Sequence, residues 1–166
     1  MNYPAAKLPP DHEGLLRRAF EVAQRSRRQG DHPFGALLAG PDGAVLMEQC
    51  NGFTAEGHDM TAHAERLLAT RASRAYGAAY LTSCTLYSSA EPCAMCAGAI
   101  YWAGIGRVVY GLSVHRLRDL TGNHPENPTL NLPCCGVFAN GQRATEVVGP
   151  LLEDEAAVVH AGVWNK

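Results

Sequence analysis

Four residues of this sequence have the types and spacing needed for metal-assisted hydrolysis. A His-Ala-Glu run places His63 two residues before Glu65, and a Pro-Cys-Ala-Met-Cys run contains Cys93 and Cys96. A catalytic zinc takes three protein ligands and keeps one position open for water, and one imidazole with two thiolates meets that count. Glu65 is too close to His63 to be a natural fourth ligand, but it is well placed to exchange protons with water beside the metal. We therefore predict His63, Cys93 and Cys96 as zinc ligands and Glu65 as the general acid/base.

Three other interpretations of these residues are weaker. A structural zinc site usually shows a second ligand pair at comparable spacing, whereas Cys134 and Cys135 are adjacent. A thioredoxin-like redox pair ordinarily lacks a His-x-Glu partner. A zinc-stabilised interaction domain without turnover has no use for an unliganded carboxylate two residues from a ligand. Glu65 therefore favours an enzyme.

The elements that must position these residues are two helices. Thr61 is suited to cap a helix that begins near Ala62, and a second helix is predicted from Pro92 to Trp102 because proline is tolerated at the first helical position. Free backbone N–H groups and the dipole at a helix start favour the thiolate form of a nearby cysteine. If the two helix starts lie side by side, His63 reaches both cysteines.

The rest of the chain reads as alternating helices and strands, with a long stretch at 121–143 that is mostly loop. The helices are predicted at about 11–29 and 151–160, and the strands at 34–39, 44–50, 84–88, 107–111 and 144–148. Gly40-Pro41-Asp42-Gly43 is a turn signal that makes the first two strands an antiparallel hairpin. A helix between the strands at 84–88 and 107–111 makes that pair parallel. The pattern predicts a layered α/β domain with a mixed sheet.

Composition excludes several classes of protein. The 166 residues, 46% of them hydrophobic, suit a single domain spanning 1–166 with a full core. The 14 Lys+Arg against 16 Asp+Glu give a net charge of -2, so nucleic acid is an unlikely partner although it is not excluded. No stretch approaches the roughly 20 apolar residues of a membrane span, and Met1 to Pro10 lacks the features of an export signal. We expect a cytoplasmic protein with no membrane partner, whose six cysteines serve metal binding or packing rather than disulfides.

The motifs resemble those of the zinc-dependent cytidine deaminase-like superfamily, with its H-x-E and P-C-x-x-C signature. The resemblance covers Thr61 to Glu65, Leu86 to Tyr110 and the Pro33-Phe34-Gly35-Ala36 run. Within the superfamily it is greatest for the branch shared by guanine deaminases, cytosine deaminases and tRNA adenosine deaminases. It implies a three-layer α/β/α cytidine deaminase-like fold with a mixed central sheet of about five strands, one catalytic Zn²⁺ per chain and a homodimer.

The resemblance also implies hydrolytic deamination, in which a zinc-bound hydroxide attacks the ring carbon that bears the amine while Glu65 shuttles the proton and ammonia leaves. By the same resemblance, Asn51 hydrogen-bonds the ring edge, and backbone groups of Ala62 and Glu91 fix the amidine face. Phe34 and Trp102 are candidate apolar walls, with core or dimer-interface roles as the alternative. Asn51 could instead shape a turn, and His124 is either a substrate contact or a polar loop residue.

Three substrate classes compete for such a site. A tRNA deaminase usually carries basic residues in its last helix, whereas this chain has Glu153, Asp154 and Glu155 there. We therefore expect a free nucleobase or related heterocycle of the guanine, cytosine or aminotriazine type, with tRNA adenosine as the alternative. The ending at Trp164 resembles guanine deaminases, whose tails close over an active site. Guanine deaminases place an acidic residue, which would recognise the N–H donors of guanine, in the loop after the fourth strand. A gapless count along this sequence reaches Asn123-His124 at that place, with Glu126 nearby, so the acid has no direct counterpart.

Overall fold

A computed structural model describes residues 11–165 of the chain. Seven helices and five strands alternate along this range. The helices are α1 (His12–Arg28), α2 (Ala64–Ala75), α3 (Ala78–Leu81), α4 (Ala94–Ala103), α5 (Val114–Thr121), α6 (Cys134–Phe138) and α7 (Glu153–Val158). The strands are β1 (Gly35–Ala39), β2 (Val45–Cys50), β3 (Thr85–Ala90), β4 (Arg107–Leu112) and β5 (Glu146–Val148).

The five strands form one mixed sheet in the order β2-β1-β3-β4-β5. Strand β1 is antiparallel to both β2 and β3, which confirms the predicted hairpin. Strand β4 is parallel to β3 and β5, which confirms the predicted parallel pair. The carboxyl ends of β3 and β4 therefore meet at one edge of the sheet, and the chain leaves β3 there through Glu91, Pro92 and Cys93.

Helices cover both faces of the sheet. Successive side chains of a strand point to opposite faces. Accordingly Leu86 and Val108 pack in one core with α2 and α4, whereas Tyr87 and Val109 pack in a second core with α1 and α7. The predicted three-layer α/β/α architecture is confirmed.

Local structure differs from prediction at both helix starts that matter for the site. Thr61 does not cap α2; its N–H and Oγ–H both donate to Asp59 Oδ1, each at 2.7 Å, in the preceding turn. His63 is the N-cap of α2 instead, and Cys93 is the N-cap of α4, one residue after Pro92. The predicted loop at 121–143 contains α6, and neither α3 nor α5 was predicted.

No helix within residues 11–165 is long and apolar enough to cross a membrane. The expectation about an export signal concerns residues 1–10, which lie outside the described range.

Candidate active site

Two helix starts bring together the three predicted zinc ligands. His63 and Cys93 are the N-caps of α2 and α4, which pack against each other, and Cys96 lies in the first turn of α4. His63 Nδ1 is 3.7 Å from Cys93 Sγ and 3.6 Å from Cys96 Sγ, and the three ligand atoms lie within 4.8 Å of one another. Zinc bonds of normal length at a tetrahedral angle give an N–S separation of about 3.6 Å. The donor set and its spacing therefore fit zinc.

The two thiols are electrostatically unequal. A hydrogen bond from the Cys96 side chain, reinforced by one from His63, lowers the pKa of Cys93 to about 4. That same hydrogen bond, together with burial, raises the pKa of Cys96. Cys93 therefore loses its proton more readily than Cys96. Zinc is bound by the thiolate form of cysteine, so metal binding requires both sulfurs to be deprotonated.

Glu65 lies in the first turn of α2, with Oε2 3.7 Å from Cys96 Sγ, and is only 5% exposed. Burial raises the pKa of this carboxyl. Ser88 Oγ is 2.7 Å from Glu65 Oε1 and 2.6 Å from the Ala90 carbonyl oxygen. Ser88 Oγ–H lies within donating distance of both acceptors, and its hydrogen bond to Glu65 partly offsets the effect of burial on the pKa of that carboxyl. Because the net pKa shift is upward, Glu65 accepts a proton more readily than an exposed carboxylate does.

A cavity of about 240 Å³ opens onto His63, Glu65 and Cys93. Its walls come from the start of β1, the carboxyl end of β3, helix α5 and the loop after α5. The other lining residues are Phe34, Met60, Ala90, Glu91, Val114, Leu117, Glu126, Asn127, Pro128, Thr129 and Leu130. The described residues that line the cavity include three glutamates, one of which is Glu65. They include no lysine or arginine.

Phe34 and Glu91, two residues that the sequence offers as candidate substrate contacts, both line this cavity. Glu91 is also an anchor, because its carboxylate accepts hydrogen bonds from Val114 N–H at 2.9 Å and Cys134 N–H at 2.8 Å. These two residues are the first of α5 and α6, so one carboxylate binds the N-termini of two helices beside the cavity.

Asn51 and Ala62 are buried beside the site without lining the cavity. Asn51 Oδ1 accepts a hydrogen bond from Phe53 N–H at 2.9 Å, which makes its amide nitrogen the end able to donate to a ligand. Ala62 N–H donates to the Asp59 carbonyl, and Glu91 N–H donates to the Leu112 carbonyl. Neither backbone amide is available to a substrate, so of the predicted amides or carbonyls only the carbonyl groups remain candidates.

Two predicted contacts lie elsewhere. The Trp102 indole is 83% exposed on α4 and packs edge-on against Tyr101, so the prediction that it forms a wall of this chain's cavity is wrong. His124 lines a neighbouring groove rather than the cavity, and its ring lies edge-on to Trp164 at 5.3 Å. It contacts the loop and the C-terminal tail.

Sequence reasoning missed Ser88 and the cavity wall at 126–130. Ser88 is one of three hydroxyl residues in β3, with Thr85 and Ser89, so nothing in the sequence singles it out. For the cavity wall at 126–130, the sequence offered only the acid Glu126, because hydrophobic periodicity does not predict the path of a long loop.

Comparison with known proteins agrees with this geometry. The family model described as the cytidine and deoxycytidylate deaminase zinc-binding region matches residues 9–112. A probable cytosine deaminase from Schizosaccharomyces pombe is 40% identical over 153 residues, which cover 90% of each chain. Guanine deaminase from Bacillus subtilis is 44% identical over 101 residues, which cover 60% of this chain and 64% of the relative.

A solved structure from work on A-to-I editing by tRNA:A34 deaminases superposes with a TM-score of 0.66 at 31% identity, covering 89% of this chain and 99% of the other. The matched family region contains both halves of the metal motif. The chain therefore belongs to the family of zinc-dependent cytidine and deoxycytidylate deaminases, and it is a deaminase with zinc as its cofactor.

Proposed function

We propose that this deaminase removes the amine of a free nucleobase or a related small heterocycle. The observation that carries the proposal is the cavity beside Glu65. Its volume of about 240 Å³ is below the roughly 300–1,000 Å³ of pockets for larger ligands. The described residues that line it include three glutamates and no lysine or arginine. A phosphate or an RNA backbone calls for cationic partners, so the lining favours a small ring without phosphate.

The proposed chemistry assigns His63, Cys93 and Cys96 to hold the zinc and Glu65 to move protons. Zinc bound in such a site supplies a Lewis acid that lowers the pKa of water. Glu65 takes a proton from the attacking water and delivers it to the ring nitrogen, and then carries the remaining hydroxyl proton to the departing amine. A bond forms between the water oxygen and the ring carbon, the carbon–amine bond breaks, and ammonia leaves an oxo group behind. The Ser88 contact supports this role because it holds Oε1 in place through the transfer.

Within this substrate class, Glu126 favours a ring of the guanine type. Glu126 is one of the residues that line the cavity, although simple counting along the sequence does not align it with a recognition acid. A carboxylate accepts hydrogen bonds, and guanine presents adjacent N–H donors. Cytosine is the second candidate, because the relative that matches 90% of the chain is named a probable cytosine deaminase.

Adenosine in tRNA is the alternative from another substrate class, because the relatives include tRNA-specific adenosine deaminases, among them one from Haemophilus influenzae at 35% identity over 104 residues. The charges near the last helix disfavour it. Three acids begin α7, and Arg116 of α5 is paired with one of them, Asp154, at 2.7 Å.

Ammonia release from a panel of amines tests the proposal. The panel contains guanine, cytosine, an aminotriazine, adenine, the matching nucleosides and an anticodon stem-loop RNA. We expect turnover of free bases, with guanine as the best substrate. Turnover confined to the RNA would contradict the proposal and would direct attention to a basic surface outside the cavity.

A further inference from the structure

Glu126 is a loop residue whose side chain is 63% exposed, although it contributes to the cavity wall. An exposed glutamate loses side-chain freedom when it is held in one direction, which disfavours any single orientation. A carboxylate that serves recognition must therefore be held by its neighbours. The residues around Glu126 show how this is achieved.

His32 contacts the Glu126 carboxylate directly. Its Nε2 lies 3.0 Å from Glu126 Oε2. The His32 carbonyl accepts hydrogen bonds from Ser26 Oγ–H at 2.7 Å and from Phe34 N–H at 2.8 Å, so the backbone of the histidine is fixed. Phe34 is itself a wall of the cavity. The histidine is therefore tied to the same segment that shapes the site.

Aromatic neighbours also fix the ring of His32. It stacks on the Trp164 indole with centroids 5.7 Å apart and planes 20° apart, and it packs against Phe53 at 6.1 Å. Trp164 is 8% exposed and donates through Nε1–H to His160 Nδ1 at 3.1 Å. The indole that orients His32 is thus fixed in turn.

The backbone of Glu126 is held through a second histidine on the same indole. Glu126 N–H donates to His124 Nδ1 at 3.2 Å, and the His124 ring lies edge-on to Trp164 at 5.3 Å. Trp164 therefore contacts both histidines that hold Glu126. His32 binds the side chain of Glu126, and His124 binds its backbone N–H.

We propose that His32 is a positioning residue that holds the Glu126 carboxylate toward a bound ring with adjacent N–H donors, with the Trp164 indole fixing the plane of the imidazole. The inference rests on the proposed function for the identity of that ring. His32 does not touch the reacting atoms. It sets the affinity for a guanine-type ring and leaves the proton transfers of Glu65 unaffected.

Binding is measured in a zinc-loaded Glu65→Gln parent, because binding there does not depend on turnover. Calorimetric titration with guanine compares the parent with His32→Phe, which keeps an aromatic ring against Trp164 but has no donor for Glu126. We expect about 10-fold weaker binding, since the Glu126 carboxylate loses the hydrogen bond that orients it. His32→Gln restores a side-chain N–H and is expected to bind within about threefold of the parent.

A double-mutant cycle distinguishes positioning from general damage. If His32 acts through Glu126, His32→Phe has no further effect in a Glu126→Gln background. His115→Phe, at an exposed histidine of α5, is the matched control and should bind like the parent. Additive losses in the cycle, unchanged binding in His32→Phe, or no guanine binding by the parent would each overturn the inference. Guanine binding by the parent without ammonia release by the wild type would contradict the proposed function and not the inference.

Discussion

At the scale of single residues, the site combines a short sequence motif with a partner that the motif does not contain. His63, Glu65, Cys93 and Cys96 were predictable because each pair is fixed by local spacing at a helix start. Ser88 was not, because its contact with Glu65 depends on how β3 packs under α2. Sequence patterns therefore predict the metal chemistry better than the residues that orient the proton carrier.

His160 predicts a pH dependence of stability. It is buried, and burial lowers its pKa to about 4. An unfolded histidine titrates near 6.5, so between about pH 4 and 6.5 the unfolded chain binds one more proton than the folded chain. The contribution of His160 to the free energy of unfolding is therefore fully present above about pH 6.5. It declines as the pH falls toward 4, by at most about 1.4 kcal/mol per pH unit.

His160→Gln tests this because glutamine can still accept the Trp164 Nε1–H bond and does not titrate. Free energies of unfolding from urea denaturation are compared with those of the wild type from pH 4.5 to 7.5. The variant should lose less stability on acidification than the wild type. Curves that stay parallel over the whole range would show that His160 does not contribute the effect.

At the scale of elements, prediction succeeded where apolar periodicity is regular and failed where a segment is held by distant partners. Helix α1 was predicted from its Asp11 cap and apolar stripe, and Asp11 indeed accepts Gly14 N–H at 2.9 Å. Helices α5 and α6 were not predicted. Both begin on the Glu91 carboxylate, a contact between residues 23 and 43 positions apart that no local pattern encodes.

Glu91→Gln is expected to destabilise the protein by about 1–3 kcal/mol. Glutamine offers one acceptor in place of two and turns an N–H donor toward a backbone N–H of α5 or α6, which leaves a buried group unsatisfied. Urea denaturation measures the loss. Glu155→Gln is the control, since Glu155 makes a half-exposed ion pair with Arg17 and its loss should destabilise the protein less than the loss of the Glu91 carboxylate. Equal effects of the two substitutions would contradict the anchoring role of Glu91.

At the scale of the whole molecule, the order of elements and the hairpin turn were enough to predict a layered α/β fold with a mixed sheet. The strand order and the cavity wall at 126–130 could not be predicted from the sequence. Both depend on the place at which the chain comes back to the sheet after a long connection. The homodimer stays a prediction. The exposed indole of Trp102 on α4 gives it a physical basis, since a large apolar side chain in water favours burial against a partner.

The measurement that tests the account most directly is ammonia release by zinc-loaded Glu65→Gln, with zinc content determined on the same sample. Glu65 is assigned to proton transfer and not to metal binding, so the variant should bind zinc like the wild type and lose about 10²–10⁴-fold in kcat. Glu56→Gln, at an exposed glutamate of the preceding loop, should keep both zinc and activity. Wild-type activity in zinc-loaded Glu65→Gln would contradict the assignment of Glu65 as the proton carrier.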